Sequence, residues 1–193
     1  MALDNTFGSG PDSVRLRLVE GGYAPLLCFG LLTIASALAS FAFACATPFA
    51  AFAVIAAATL PVQPALLVVT ATWLVNQAIG FGFLHYPIDD NTVLWGFVIG
   101  AAAVAATLAA TSVLHATRRA VTPVALAAAL LGAYAAYELA LLAATPFLGG
   151  AEDFTAAIVG RIGVVNVLWT IGLIAACEAI RFVGAHPYRQ PAS

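Results

Sequence analysis

Two charged residues, Glu138 and Arg161, fall inside long apolar runs and well away from the inner end where Glu178 and Arg181 lie. A charge in hydrocarbon is costly and is held by a partner or serves a ligand. The two sit at similar distances from the ends of their runs. One reading pairs them as an ion pair that locks two helices. The other places one or both beside a cavity, where they match the charge of a bound molecule. Around them lie side chains suited to holding such a molecule. Trp73, Asn76 and Gln77 share a helical face with Gly80 and Leu84. Arg161 and Trp169 share another, with Asn166 at its edge, and Tyr137 adjoins Glu138. Trp95 stands one turn into its own run. The chemistry is reversible binding. Trp73, Trp95 and Trp169 would stack a heterocycle, Asn76, Gln77 and Asn166 would bond its edge, and Glu138 or Arg161 would meet its charge. The competing use of the amides is helix–helix hydrogen bonding, at roughly 0.6–2 kcal/mol each.

Other chemistry is poorly provided for. His85, His115 and His186 offer no pair inside the runs at matching depth, which disfavours bis-His haem. No Lys is present for a retinal Schiff base. His85 with Asp89 and Asp90 lacks a further metal ligand. Cys28, Cys45 and Cys177 each lie in apolar surroundings and read as small hydrophobes. No nucleophile–base pair, Walker A or G-x-G-x-x-G occurs. No cofactor, metal or enzymatic activity is expected.

The elements that must position these residues follow from composition. The chain has 193 residues, 63% apolar and only 8% charged, with mean hydropathy +1.01. A soluble domain is about 25% charged. Seven arginines and nine acids cannot cover a soluble surface of this size. A secreted disulfide scaffold, a cytosolic enzyme and a nucleic-acid binder are thereby disfavoured. The expected fold is all-α: a polytopic bundle of six transmembrane helices. Apolar runs extend from Tyr23 to Cys45, from Pro48 to Leu60, from Ala65 to Leu84, from Val93 to His115, from Val124 to Thr145 and from Phe154 to Val183. Residues 1–22 and 184–193 would be polar cytoplasmic segments flanking a 23–183 membrane domain. A cleavable signal peptide and a C-terminal lipidation motif are not expected. Thr47 is the expected N-cap of the second run, Asn91 or Thr92 of the fourth, and Pro61 to Pro64 and Pro146 are expected helix stops.

At ~14 residues the second run is short for a span, which takes about 20. It reads either as a short spanning helix or as a re-entrant segment. Arginine placement favours the span. With the N-terminus inside, Arg15, Arg17, Arg118, Arg119, Arg181 and Arg189 all lie inside, and Asp89, Asp90, Glu152 and Asp153 lie outside. Removing the short span would put Arg118 and Arg119 on the wrong side. Both termini are thus expected in the cytoplasm. Glu178 and Arg181, three apart near the end of the last run, read as a local interfacial pair. The loop from His85 to Asp90 reads as a solvated turn, with a lid as its alternative.

Small residues recur at spacing four: Ala35 and Ala39, then Ser36, Ser40 and Ala44, in the first run; Gly96 and Gly100, then Ala101, Ala105 and Ala109, in the fourth. They allow close helix packing, within the chain or against a partner. The six helices, the short second helix, the Ala35-x-x-x-Ala39 pair and the polar–aromatic cluster together resemble a known family. It is that of the integral membrane substrate-binding (S) components of energy-coupling factor (ECF) transporters. The resemblance is architectural and covers about residues 23–183. It implies a binder of a small vitamin-like molecule or cofactor precursor in the bacterial inner membrane. Such a protein docks on a membrane coupling subunit and two ATPases. Ala35 and Ala39 would face the coupling subunit, with Phe43 interrupting the stripe. The Met-His start of the metal-specific relatives is missing, which argues against cobalt or nickel. From a different class comes the alternative of a small accessory subunit of a larger membrane complex, with no ligand of its own.

Overall fold

A computed structural model describes residues 16, 23–43 and 47–184. Apart from Leu16 and Gly184, the expected polar segments, with Arg15, Arg17, His186 and Arg189, lie outside the described residues, as do Ala44 and Cys45. The described fold is all-α. In chain order its elements are α1 (Ala24–Phe43), α2 (Phe49–Thr59), α3 (Val62–Gly82), α4 (Asp90–Ala116) and α5 (Thr122–Leu148), then a short 3-10 turn at Ala151–Asp153, then α6 (Ala156–Gly184). All but α2 among the α-helices are long and apolar enough to cross a membrane. Large apolar side chains such as Leu67, Phe97 and Leu131 stay exposed along them. The buried positions of α4 and α5 are dominated by Ala, Gly and Thr. That distribution belongs to a bundle solvated by lipid, where small residues bring helices close.

The base is here the end at which α1, α3 and α5 begin, and the rim the end at which they finish. Ser40, late in α1, meets Asn76, late in α3. Those two helices are therefore parallel, and α2 between them returns the chain toward the base. With 11 residues, α2 is only about 16 Å long, roughly half of a ~30 Å hydrocarbon core. It packs against every other α-helix, and none of its residues is more than 5% exposed. The second run is thus a short helix enclosed by protein rather than a lipid-facing span.

Burying a helix on all sides leaves its end groups with no water to bond. Distant residues take them up. At the start of α2, the N–H of Ala51 donates to Asn166 Oδ1 at 3.0 Å. At its end, the N–H of Leu16 donates to the Ala58 carbonyl at 2.9 Å. The Thr59 hydroxyl bonds back to the Ile55 carbonyl at 2.7 Å.

Several expected boundaries shift for local reasons. Pro48, not Thr47, precedes α2, and it makes no side-chain cap bond. Thr47 instead accepts a hydrogen bond from Asn76. The second run breaks before Pro61 as expected, but α3 begins at Val62 rather than Ala65, so Pro64 lies in its first turn, where the missing N–H has no intrahelical partner to lose. Asp89, not Asn91 or Thr92, caps α4 and takes the Thr92 N–H at 2.8 Å. Pro146 is carried inside the last turn of α5. The chain turns just after it, where Gly149 and Gly150 both take positive φ.

Candidate functional site

The nine candidate ligand residues do not line one cavity. On α3, the Trp73 indole N–H donates to the Gly96 carbonyl at 2.9 Å. Its ring covers Gly100, where a Cβ would stand 2.6 Å from Trp73 Cε2. Gln77 covers Gly96 in the same way, its Oε1 2.6 Å from where a Cβ would be. The Gly96-x-x-x-Gly100 spacing is therefore occupied within the chain, as a seat for two α3 side chains. Gln77 Nε2 donates to Asn76 Oδ1 at 3.1 Å. Asn76 Nδ2 donates to Ser40 Oγ at 2.8 Å and Thr47 Oγ1 at 3.0 Å. This chain of bonds ties α3 to α1 and to the segment that opens α2.

Asn166 is 2% exposed. Besides capping α2, it donates from Nδ2 to the Ile162 carbonyl at 3.0 Å. Trp169 meets Phe52 edge to face, ring centroids 6.2 Å apart. It also lines a cleft of about 510 Å³ between α1 and α6, opposite Ala35 and Leu38. Tyr137 is buried and tilts against Phe49 at 6.3 Å. Trp95 is half-buried on α4, one turn from the rim end of that helix.

The carboxyl group of Glu138 lies beside the Tyr134 hydroxyl, one helical turn away. Its Oε1 is buried with no hydrogen-bond partner. Tyr134 gives its own proton to the Val159 carbonyl on α6 at 2.5 Å. Arg161 is exposed, also on α6. Among the described residues no ion pair joins Glu138 to Arg161, and the pair that forms is Glu178 with Arg181 on the last turns of α6. Similar depth along two helices leaves their azimuth free, so it does not ensure contact.

Ala39 is fully buried and Ala35 is 4% exposed. Their stripe faces into the bundle, so docking through it would require α1 to separate from its neighbours. The loop after α3 folds onto its own helix. The Tyr86 N–H donates to the Gly80 carbonyl at 3.1 Å, and its ring packs on Phe81. His85 there takes a positive φ of 54°.

Sequence reasoning missed Tyr134 and Thr170 as parts of a second, larger cleft. It lies between α5 and α6, measures about 800 Å³ and is lined by Leu130, Tyr134, Gly163, Asn166, Thr170 and Glu178 among others. The signal for it was faint: one face of α6 carries Gly163, Asn166, Val167 and Thr170, which are small or polar beside the Leu and Ile elsewhere. Among the described residues no cluster of three His, Cys, Asp or Glu side chains is placed to hold a metal.

No protein-family model, curated protein or solved structure matches the chain. The reading of its function rests on the chemistry of these residues.

Proposed function

We propose that the chain is a membrane-embedded binding component for a small vitamin-like molecule or cofactor precursor, and that it works with partner subunits that supply energy. The observation that carries this reading is the buried, unpartnered Oε1 of Glu138. An acceptor in that position costs free energy in the empty protein, and a ligand donor would offset it. Tyr134 stands beside the carboxyl with its own proton already given to Val159, and Tyr137, Trp95 and Arg161 belong to the same rim half of the bundle. On this reading Trp73, Asn76, Gln77, Asn166 and Trp169 position helices rather than touch the ligand.

The same reading gives six passes with both termini cytoplasmic, in a bacterial inner membrane. The base carries Arg118, Arg119 and Arg181, and the rim carries Asp89, Asp90 and Glu152. That asymmetry matches the preference of short cytoplasmic loops for arginine. It makes the rim the outer face, through which a nutrient would arrive. The chain would then play the part of an ECF S component, without catalytic activity of its own. A coupling subunit and ATPases would complete the transporter.

The accessory-subunit reading has its own support. Four polar candidates bond within the chain, and α6 is the least enclosed of the long helices. Mass spectrometry of small molecules released from the purified protein separates the two. A stoichiometric ligand, lost in Glu138→Ala, is the expected result. An empty protein that purifies with fixed membrane partners would overturn the transport reading.

A further inference from the structure

The α5–α6 cleft is a groove exposed along its length, as at Leu131 and Ile171, and it is crossed at one end. Toward the rim, Tyr134 bridges from α5 to the Val159 carbonyl of α6, with its ring against Gly163. Toward the base the walls run on to Thr122, Pro123 and Glu178. From Gly163 to Glu178 the cleft follows α6 for about 22 Å at 1.5 Å per residue. That is enough to cover one leaflet, half of a ~30 Å core.

Nearly every polar group on its walls is already engaged. The Tyr134 hydroxyl holds Val159, and the Asn166 amide holds Ala51 and Ile162. The Thr170 hydroxyl donates to the Asn166 carbonyl at 2.8 Å, and Glu178 pairs with Arg181. What remains facing the cleft is apolar: Leu126, Ala127, Leu130, Val167, Ile171 and Ile174. A polar nutrient finds no free partner there, whereas a hydrocarbon chain does.

The base end carries three arginines against one acid, Glu178. Arg118 and Arg119, both exposed, come just before Thr122 at the start of α5. Arg181 lies one turn beyond Glu178 on α6. The acids of the loops lie at the opposite end, at Asp89, Asp90 and Glu152. An apolar groove, crossed at the rim by Tyr134 and running to a base that carries arginines, matches an amphiphile with its tail along the helices and a negative head at the base. Basic pockets between transmembrane helices select anionic headgroups in this way.

We infer that the α5–α6 cleft is a binding site for an anionic phospholipid, with one acyl chain lying between the two helices and its phosphate beside Arg118 and Arg119. This site adjoins the Glu138 site at Tyr134 but does not depend on the ligand reading above.

The test is native mass spectrometry of the full chain, stripped of lipid in detergent and titrated with phosphatidylglycerol. Phosphatidylcholine with identical chains and glycerol 3-phosphate alone serve as comparisons. The expected result is one phosphatidylglycerol retained at least tenfold more than phosphatidylcholine, with no displacement by glycerol 3-phosphate. Arg118→Gln with Arg119→Gln is expected to remove that preference. Ala127→Trp and Ile171→Trp, from opposite walls at exposed positions, are expected to lower retention of both lipids, and lipid-free melting temperatures verify that the variants fold. Equal retention of the two lipids by the parent chain would overturn the proposal. So would an unchanged preference in the double arginine variant, unchanged retention in folded tryptophan variants, or displacement by glycerol 3-phosphate.

Discussion

The side-chain oxygen of Asn166 accepts the backbone N–H of Ala51 at 3.0 Å, so α6 caps a helix that has no water to cap it. Replacing Asn166 by Leu keeps the volume but leaves that N–H bare. We expect a loss of about 1–3 kcal/mol, read as a lower melting temperature in detergent. Thr170→Val is the control. It removes only a bond from a hydroxyl to the carbonyl one turn back, and is expected to cost under about 1 kcal/mol. Equal effects of the two would remove the special role of the cap.

Gly96 and Gly100 are predicted to differ although they belong to one motif. At Gly96 a new methyl would meet the end of the Gln77 side chain, which can swing aside. At Gly100 it would meet an indole pinned by its bond to the Gly96 carbonyl. Gly100→Ala is therefore expected to cost about 1–3 kcal/mol, and Gly96→Ala less. A double-mutant cycle of Gly100→Ala with Trp73→Phe should show coupling of at least about 0.5 kcal/mol.

Glu138 is expected to oppose stability and favour binding. Glu138→Leu removes a buried acceptor without a partner, so the ligand-free protein should melt at the same temperature or higher. The same change should abolish retention of the released small molecule. A marked fall in ligand-free stability would show that Glu138 is structural.

Asp89 gives the rim a pH response. The Thr92 backbone N–H, and then its hydroxyl, hold the Asp89 carboxylate below its usual range. A folded value lower than the unfolded one means the cap contributes above the ordinary carboxylate range, near ~4. The contribution is lost as pH falls through the lower folded value. The protection factor of the amides at the start of α4, taken relative to their intrinsic exchange at each pH, should therefore hold at neutral pH and fall in acid. Asp89→Asn should flatten that response.

Much of the architecture was legible as composition. Uninterrupted apolar runs can only be long helices in lipid, and five of them form within a few residues of the expected bounds. The environment of α2 was not legible, because an Ala- and Phe-rich helix reads the same whether lipid or protein surrounds it. The Pro61–Pro64 stretch ended the second run as expected, but Pro64 hid the earlier start of α3 and Pro146 the last residues of α5, since proline is tolerated in a first turn and near a helix end. Among the site residues, sequence found the polar groups but not their partners. Asn166 bonds to a backbone amide, and Trp73 to a backbone carbonyl, neither of which has a residue-type signature. Glu138 and Arg161 matched in depth, yet the half-burial of one and the exposure of the other depend on how α5 and α6 are rotated.

The enclosure of α2 also bears on how the chain is made. Ala51 and its cap on Asn166 are 115 residues apart. At about 5–20 residues per second, the ribosome delivers the second on the order of ten seconds after the first. Until then α2 is too short to cross the bilayer unaided and its Ala51 N–H lacks its acceptor. It must wait at the insertion machinery or the interface, and take its place as the final helix closes over it. Order of synthesis and order of assembly are therefore different in this chain, and the second helix to be made is among the last to settle.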